Sequence, residues 1–278
     1  MARPRAPAPA PTRPRRPPAE SARTPWAWAA AGLALGLAAT ALAEAPARWL
    51  ATALQRASAG QVQLHDARGT LWQGSAQLVL TGGAGSQDRA ALPGRLHWRL
   101  RPALAGARLQ LTADCCTTAG AAPIAVRVAA GWRTLRLAVE DSHSHWPAAL
   151  LAGLGTPWNT LQPQGSLQLS TEGLQLSWAE GRLRLGGRVQ LDALQLSSRL
   201  STLRPLGSYR LAVQGGDAPT LQLSTLDGAL LLSGSGRWVG QRLRFDGEAS
   251  AAAGSEPALA NLLNIIGRRS GARSIITL

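Results

Sequence analysis

The chain contains no lysine: all 29 of its basic residues are arginine. Without lysine, no glycine-rich loop can complete a phosphate-binding P-loop. Aromatic residues other than tryptophan are almost missing, with ten Trp against one Phe and one Tyr. That pairing of arginine with tryptophan points to GC-rich coding, so arginine by itself carries little functional weight. Only two cysteines occur, and they are neighbours, Cys115 and Cys116. Neighbours cannot staple a loop, and closing a bond between them makes a strained eight-membered ring, so the pair reads as two small side chains at a strand end, or as thiols for a partner chain. No G-x-S-x-G turn and no dinucleotide fingerprint at a strand-to-helix junction is present. These absences argue against an enzyme and leave no cofactor to assign. What the chain does have is 278 residues and 45% hydrophobic content, enough for a sizeable core.

The net charge of +14 suits an anionic partner, and its placement decides which. Residues 1–25 hold six arginines against Glu20, with proline throughout, and read as a disordered basic tail. Residues 26–43, WAWAAAGLALGLAATALA, carry no charge. At about 1.5 Å per residue such a helix approaches the ~30 Å hydrocarbon thickness of a bilayer. Trp26 and Trp28 suit an interface, and the arginines before them place the tail in the cytoplasm by the positive-inside bias. The run exceeds the apolar region of a cleaved signal, about 7–15 residues, and so reads as a retained transmembrane anchor. The small-x-small triplet at 41–43 keeps cleavage after Ala43 open. Either outcome exports residues 44–278 as a periplasmic β-rich domain, beyond the reach of nucleic acid.

Residues 44–57 predict a short amphipathic helix whose Trp49, Leu50 and Leu54 suit a membrane surface. From Val62 onward the period becomes two. In RLHWRLR, 95–101, Leu96, Trp98 and Leu100 point one way and the arginines and His97 the other. The pattern returns at 108–113, 124–128, 166–171, 173–178, 182–191, 209–213 and 242–245. Turn-like clusters separate these runs: TGGAGSQD (81–88), TEG (171–173), QGGDAPT (214–220) and SGSG (233–236). Leucine on one side and glutamine or arginine on the other predict a largely antiparallel sheet with one apolar and one wet face. The alternation stops over 141–165, where a short helix from Pro147 to Leu154 and a proline-marked connection predict a midpoint between two sheet halves, either separate or sharing one continuous sheet. Near the end, Ser255 as N-cap, then Leu259, Leu262, Leu263 and Ile266, then Gly267, predict an amphipathic helix lying on the sheet.

Candidate chemistry is sparse. His143 and His145 share one side of an extended segment and could bind a metal, but with no Cys or third His nearby and only Glu140 and Asp141 close, a metal site is not expected. His65 beside Asp66 has the form of a base with an orienting acid, without a nucleophile to serve. Gly186 and Gly187 inside a strand pattern predict a bulge. In GTLWQGSA, 69–76, Gly69 predicts a turn, Leu71 and Trp72 the start of a return strand, and Gly74 a bulge or close backbone approach. Ala76, Leu78 and Leu80 continue the buried face, while Thr70 and Trp72 share the other side. Trp72 either covers the sheet edge or docks a partner.

These residues resemble the type II secretion system protein N family (general secretion pathway protein N). The resemblance rests on residues 69–76, 200–215, 223–251 and 262–278, most specifically on LLNIIGRR following a G-x-G-x-W-x-G-x-L-x-F-x-G pattern. It implies an accessory inner-membrane component of protein secretion, partnered by other secretion subunits and the inner membrane, with no known catalytic set. It also implies kinship with AsmA-like envelope proteins, whose curved sheets present an apolar groove, so phospholipid binding or transfer is the alternative function. Gly69, Thr70, Leu71, Trp72, Gly74, Trp238, Gly267, Arg268 and Arg269 are the family-motif and candidate interface residues.

Overall fold

The computed structural model describes residues 26–83, 85–104, 106–116, 123–132, 134–179, 182–240 and 242–277. The expected basic tail, 1–25, lies outside them. The chain divides into two units, 1–43 and 44–278. In the first unit, α1 (Trp26–Ala43) is a continuous helix, long and apolar enough to cross a membrane. Alanine, leucine and spaced glycine give it good propensity, and the absence of charge leaves no polar face.

The second unit opens with α2 (Ala47–Ala57) and continues into strands. The first are β1 (Val62–Gly69), β2 (Gln73–Thr81), β3 (Arg89–Ala91), β4 (Leu96–Ala103) and β5 (Gly106–Ala113). Next come β6 (Ile124–Ala130), β7 (Thr134–Val139) and β8 (Ser142–Pro147), a 3-10 helix over Ala148–Leu154, and α3 (Trp158–Leu161). Two long strands follow, β9 (Gln164–Ala179) and β10 (Arg182–Ser197), then β11 (Gly207–Gly216) and β12 (Thr220–Gly228). The chain ends with β13 (Leu230–Val239), β14 (Arg242–Ala251), α4 (Glu256–Ile266), β15 (Arg268–Ser270) and β16 (Arg273–Thr277).

Among the described residues, all sixteen strands belong to one open antiparallel sheet. Sequence neighbours pair almost throughout. β3 and β4 lie end to end along β2, β7 and β8 lie end to end along β9, and β15 ends up outermost beyond β16. The two halves expected on either side of 141–165 are therefore one continuous sheet, because β7 and β8 both pair with β9.

The register aligns the leucines. Val128 stands beside Leu137, Leu137 beside Leu176, and Leu176 beside Leu185. Further on, Leu191, Leu211 and Leu223 form a similar row. Because side chains alternate across a strand, this register gathers every apolar row on one face.

Three clusters bury parts of that face. Ala47, Ala76 and Trp98 form one, with Leu50 and Leu64 against it. Leu92, Ala113, Cys116 and Leu150 form the second, where the 3-10 helix docks. Leu206, Tyr209, Leu230, Ala249, Leu259, Leu262 and Leu263 form the third, under α4. α4 has the predicted apolar face, and Gly267 follows it. The backbone of Gly267 is extended, and what demands glycine is the close passage of the Ile275 backbone in β16. Ser255 makes no side-chain cap bond.

Several sequence expectations are corrected. TEG is no turn: it lies inside the sixteen-residue β9, where an extra residue near Gly173 opposes the Gly186–Arg188 shift in β10. A bulge keeps leucine in phase on both sides of itself, so the interruption imitates a turn. Gly187 has φ +81°, and a Cβ there would overlap the Gly173 carbonyl, so the predicted bulge is where the glycines placed it. SGSG likewise lies within β13, where Gly234 and Gly236 leave room for the Phe245 ring. Leu71 and Trp72 belong to the β1–β2 turn, and the return strand begins at Gln73. In α2, Leu50 packs toward the sheet cluster and Leu54 is half-buried, leaving Trp49 as the outward residue of the three expected on a membrane.

Candidate interaction surface

The apolar face is covered at its two ends and open between them. Around β7, β9 and β10, Leu135, Trp178 and Leu183 form a cross-strand row and are 43%, 49% and 59% exposed. Val128, Leu137, Leu176 and Leu185, one row inward, are half-buried. No described element lies over this stretch, so leucine and tryptophan side chains meet solvent in sequence-distant but register-adjacent rows. Such a contiguous apolar surface is the ordinary mark of a binding face.

The opposite face is polar, and several of its acids are clamped by arginines on neighbouring strands. Arg210 of β11 donates two hydrogen bonds, both 2.8 Å, to Asp192 directly across on β10. Those bonds hold the Asp192 carboxyl below its ordinary range. Glu140 accepts from Arg127 at 2.8 Å and from Arg108 at 2.9 Å, and its pKa falls for the same reason. Asp66, at φ +49°, receives Arg95 at 2.9 Å and Arg68 at 2.8 Å and is likewise lowered. Asp114 accepts the backbone N–H of Arg95 first and the His97 ring at 3.0 Å second, again lowering its pKa. Each of these acids is held as a carboxylate acceptor, which suits cross-strand clamping and not proton donation. A shallow concavity of about 620 Å³ on this face is lined by Arg68, Gln73, His97, Arg99, Gln110 and Thr112.

The expected site residues fall in separate places. Gly69, at φ +88°, ends β1, and Thr70 bridges to Pro46. Leu71 donates its N–H to the Ala45 carbonyl at 2.7 Å. Trp72 is half-buried beside this turn, and its carbonyl accepts the N–H of Leu100 at 2.7 Å. Gly74 lies against the Trp98 ring, whose indole N–H is shared between the carbonyls of Thr70 at 3.3 Å and Leu71 at 3.2 Å. Trp98, a residue that sequence reading placed only in a strand, is therefore the anchor of the GTLWQGSA motif. Spacing alone does not reveal this, because β4 reaches Gly74 only through the β2–β4 register. Trp238 sits half-buried at the far end of β13, its backbone N–H donating to the Pro219 carbonyl at 3.0 Å. Gly267, Arg268 and Arg269 lie at the other margin of the sheet, the two arginines exposed on β15. The motif residues thus mark a turn, a hairpin and an edge strand, and they do not converge.

The other candidates resolve similarly. His143 and His145 are exposed on β8, and no cluster of three potential metal ligands exists among the described residues. His65 contacts Gln63 at 2.9 Å while Asp66 is taken by the arginines, so the expected base-acid pairing is not made. Cys115 and Cys116 are bonded to each other, against the expectation of two thiols or an interchain bridge. Cys116 is buried in the second cluster and Cys115 is exposed, so the bond closes a tight corner after β5.

A family model described as type II secretion system (T2SS), protein N matches residues 60–276, from just before β1 into β16. No curated protein and no solved structure matches the chain. With nearly the whole sheet and all of α4 inside the matched span, the chain belongs to the type II secretion system protein N family.

Proposed function

We propose that this protein is an accessory inner-membrane component of the type II secretion apparatus that works through protein–protein contacts of its β domain, without transforming a substrate. The family match over residues 60–276 carries this reading. In it, α1 is the single span, residues 1–25 stay in the cytoplasm, and residues 44–278 work in the periplasm. The open sheet supports the contact mechanism. Among the described residues, β1 at one margin and β15 at the other have one outward side without a strand partner, and an unpaired edge accepts a further strand by backbone hydrogen bonding.

The test is photo-cross-linking in cells from Trp72 and from Arg269, together with a secretion assay on a strain lacking the chain. Covalent capture of another secretion subunit, or loss of enzyme release, is expected. Retained secretion together with empty cross-links from both positions would falsify the reading.

One observation favours a second function, envelope lipid binding along the apolar face: the exposed row Leu135, Trp178, Leu183. Native mass spectrometry of gently extracted protein then shows bound phospholipid. A spectrum of bare protein removes this reading.

A further inference from the structure

We infer that one end of the sheet, formed by its hairpin turns, is a membrane-contacting rim that rests on anionic phospholipid headgroups. In an antiparallel meander, alternate turns fall at the same end. Here those following β1, β4, β6, β9, β11 and β13 do so. The register keeps them level: Gly106 stands beside Ala129, Thr134 beside Ala179, Leu185 beside Gly216, and Thr220 beside Arg237.

Exposure of large apolar side chains concentrates there. Leu104 and Trp132 are fully exposed next to their turns, and Leu135, Trp178, Leu183 and Val239 follow at 43%, 49%, 59% and 48%. Half-exposed Trp49 opens α2 at the same end, because its N–H binds the carbonyl of Pro46, which is bridged to Thr70 in the β1–β2 turn. Indole and leucine beside arginine is the composition that settles at a headgroup boundary.

Charge is polarised along the strands. Near the rim, Arg101, Arg136, Arg182, Arg184, Arg237 and Arg242 are exposed and pair with no acid among the described residues. In the sequence of these turns only Glu180 and Asp217 oppose them. Connections at the opposite end carry Asp88, Asp114, Glu140, Asp141, Asp227 and Glu256 beside Arg89, Arg95, Arg199, Arg204, Arg268, Arg269 and Arg273, so acids there nearly balance the arginines. An excess of arginine over acid at the rim is the complement of an anionic bilayer surface.

The tether leaves from the same end. The bond from Leu71 N–H to the Ala45 carbonyl pins the start of the domain to the first turn of the rim. Ala45 is two residues beyond the last residue of α1.

The inference stands apart from the secretion role and is tested on the full chain in nanodiscs. A photo-reactive benzoylphenylalanine replaces Trp132 or Leu183 on the rim, Leu223 in the middle of the apolar face, or Leu226 at the opposite end. Lipid adducts are read by mass spectrometry. In discs containing phosphatidylglycerol, Trp132 and Leu183 are expected to form adducts while Leu223 and Leu226 do not. In discs of phosphatidylcholine alone, or with Arg136→Gln, Arg182→Gln and Arg184→Gln combined, rim adducts fall by about tenfold. All three arginines are exposed, and circular dichroism of the triple variant checks that it folds. Adducts at Leu226 or Leu223 equal to those of the rim, no adducts from the rim, or adducts insensitive to lipid charge and to the arginines would each overturn it. Adducts confined to Leu223 would instead mark lipid held along the face.

Discussion

Gly74 and Trp98 occupy facing positions on β2 and β4, and the indole fills the space that a side chain at 74 would need. Gly74→Ala pushes a methyl into that ring and into the Arg68 carbonyl. Overpacking of this kind costs about 1–3 kcal/mol, so the variant unfolds at lower denaturant, with altered tryptophan emission. Unchanged midpoint and spectrum would show that the ring relocates freely. Asp192 offers a second residue-scale expectation. Its carboxyl, nearly buried, is lowered below its ordinary value of 3.8 by the Arg210 bonds. A depressed carboxylate contributes stability that is complete above its unfolded pKa and is lost as pH falls through the folded one. Asp192→Asn should therefore lower stability at neutral pH by about 1 kcal/mol, since Arg210 is itself partly exposed, and the wild-type advantage should vanish in strong acid. An equal deficit at all pH values would assign the effect to packing.

Elements show where local pattern governs and where it is overridden. α4 reads from sequence as amphipathic, and its Leu259, Leu262 and Leu263 are buried against β13, β14 and the β11 region. Leu262→Ala removes a side chain that is 1% exposed, at an expected cost of about 2–5 kcal/mol. Hydrogen exchange should then quicken in α4, β14 and β16, its contact neighbours. Unaltered exchange there would mean that α4 does not hold this end of the sheet together. α2, equally amphipathic by sequence, suits a membrane or a sheet; the structure chooses the sheet for Leu50, because the Ala47, Ala76 and Trp98 cluster offers a dry seat beside it. At β9 and β13, glycine-containing triplets look like turns and are not. Bulge and turn use the same residue for the same reason, freedom from a Cβ, and only the partner strand distinguishes them.

At the scale of the whole molecule, the clusters under α2 and under α4 share no residue and lie toward opposite margins of the sheet. Gly74→Ala and Leu262→Ala should consequently add within about 0.5 kcal/mol when combined. Coupling well beyond that would mean that strain travels across the intervening strands. The strand-after-strand organisation was legible in the chain because a period of two has no stable solution except a two-faced sheet. The placement of the candidate residues was not. Trp72, Trp238 and Arg269 are far apart along the sheet, and sequence similarity gives their identity without their neighbours.

By composition and periodicity alone, the chain determines an apolar helix able to span a bilayer, an antiparallel sheet with leucine on one side, and a closing amphipathic helix. Those are consequences of local chemistry: charge-free length, alternation, and apolar spacing along a helix. The tertiary structure alone decided that β7 and β8 both run along β9, that Trp98 seats in Gly74, and that the leucines of β7, β9 and β10 stay uncovered. Each of these depends on register between segments distant in the chain, and pairing energy between two amphipathic strands is nearly the same for many partners until the covering helices and the bulges select one.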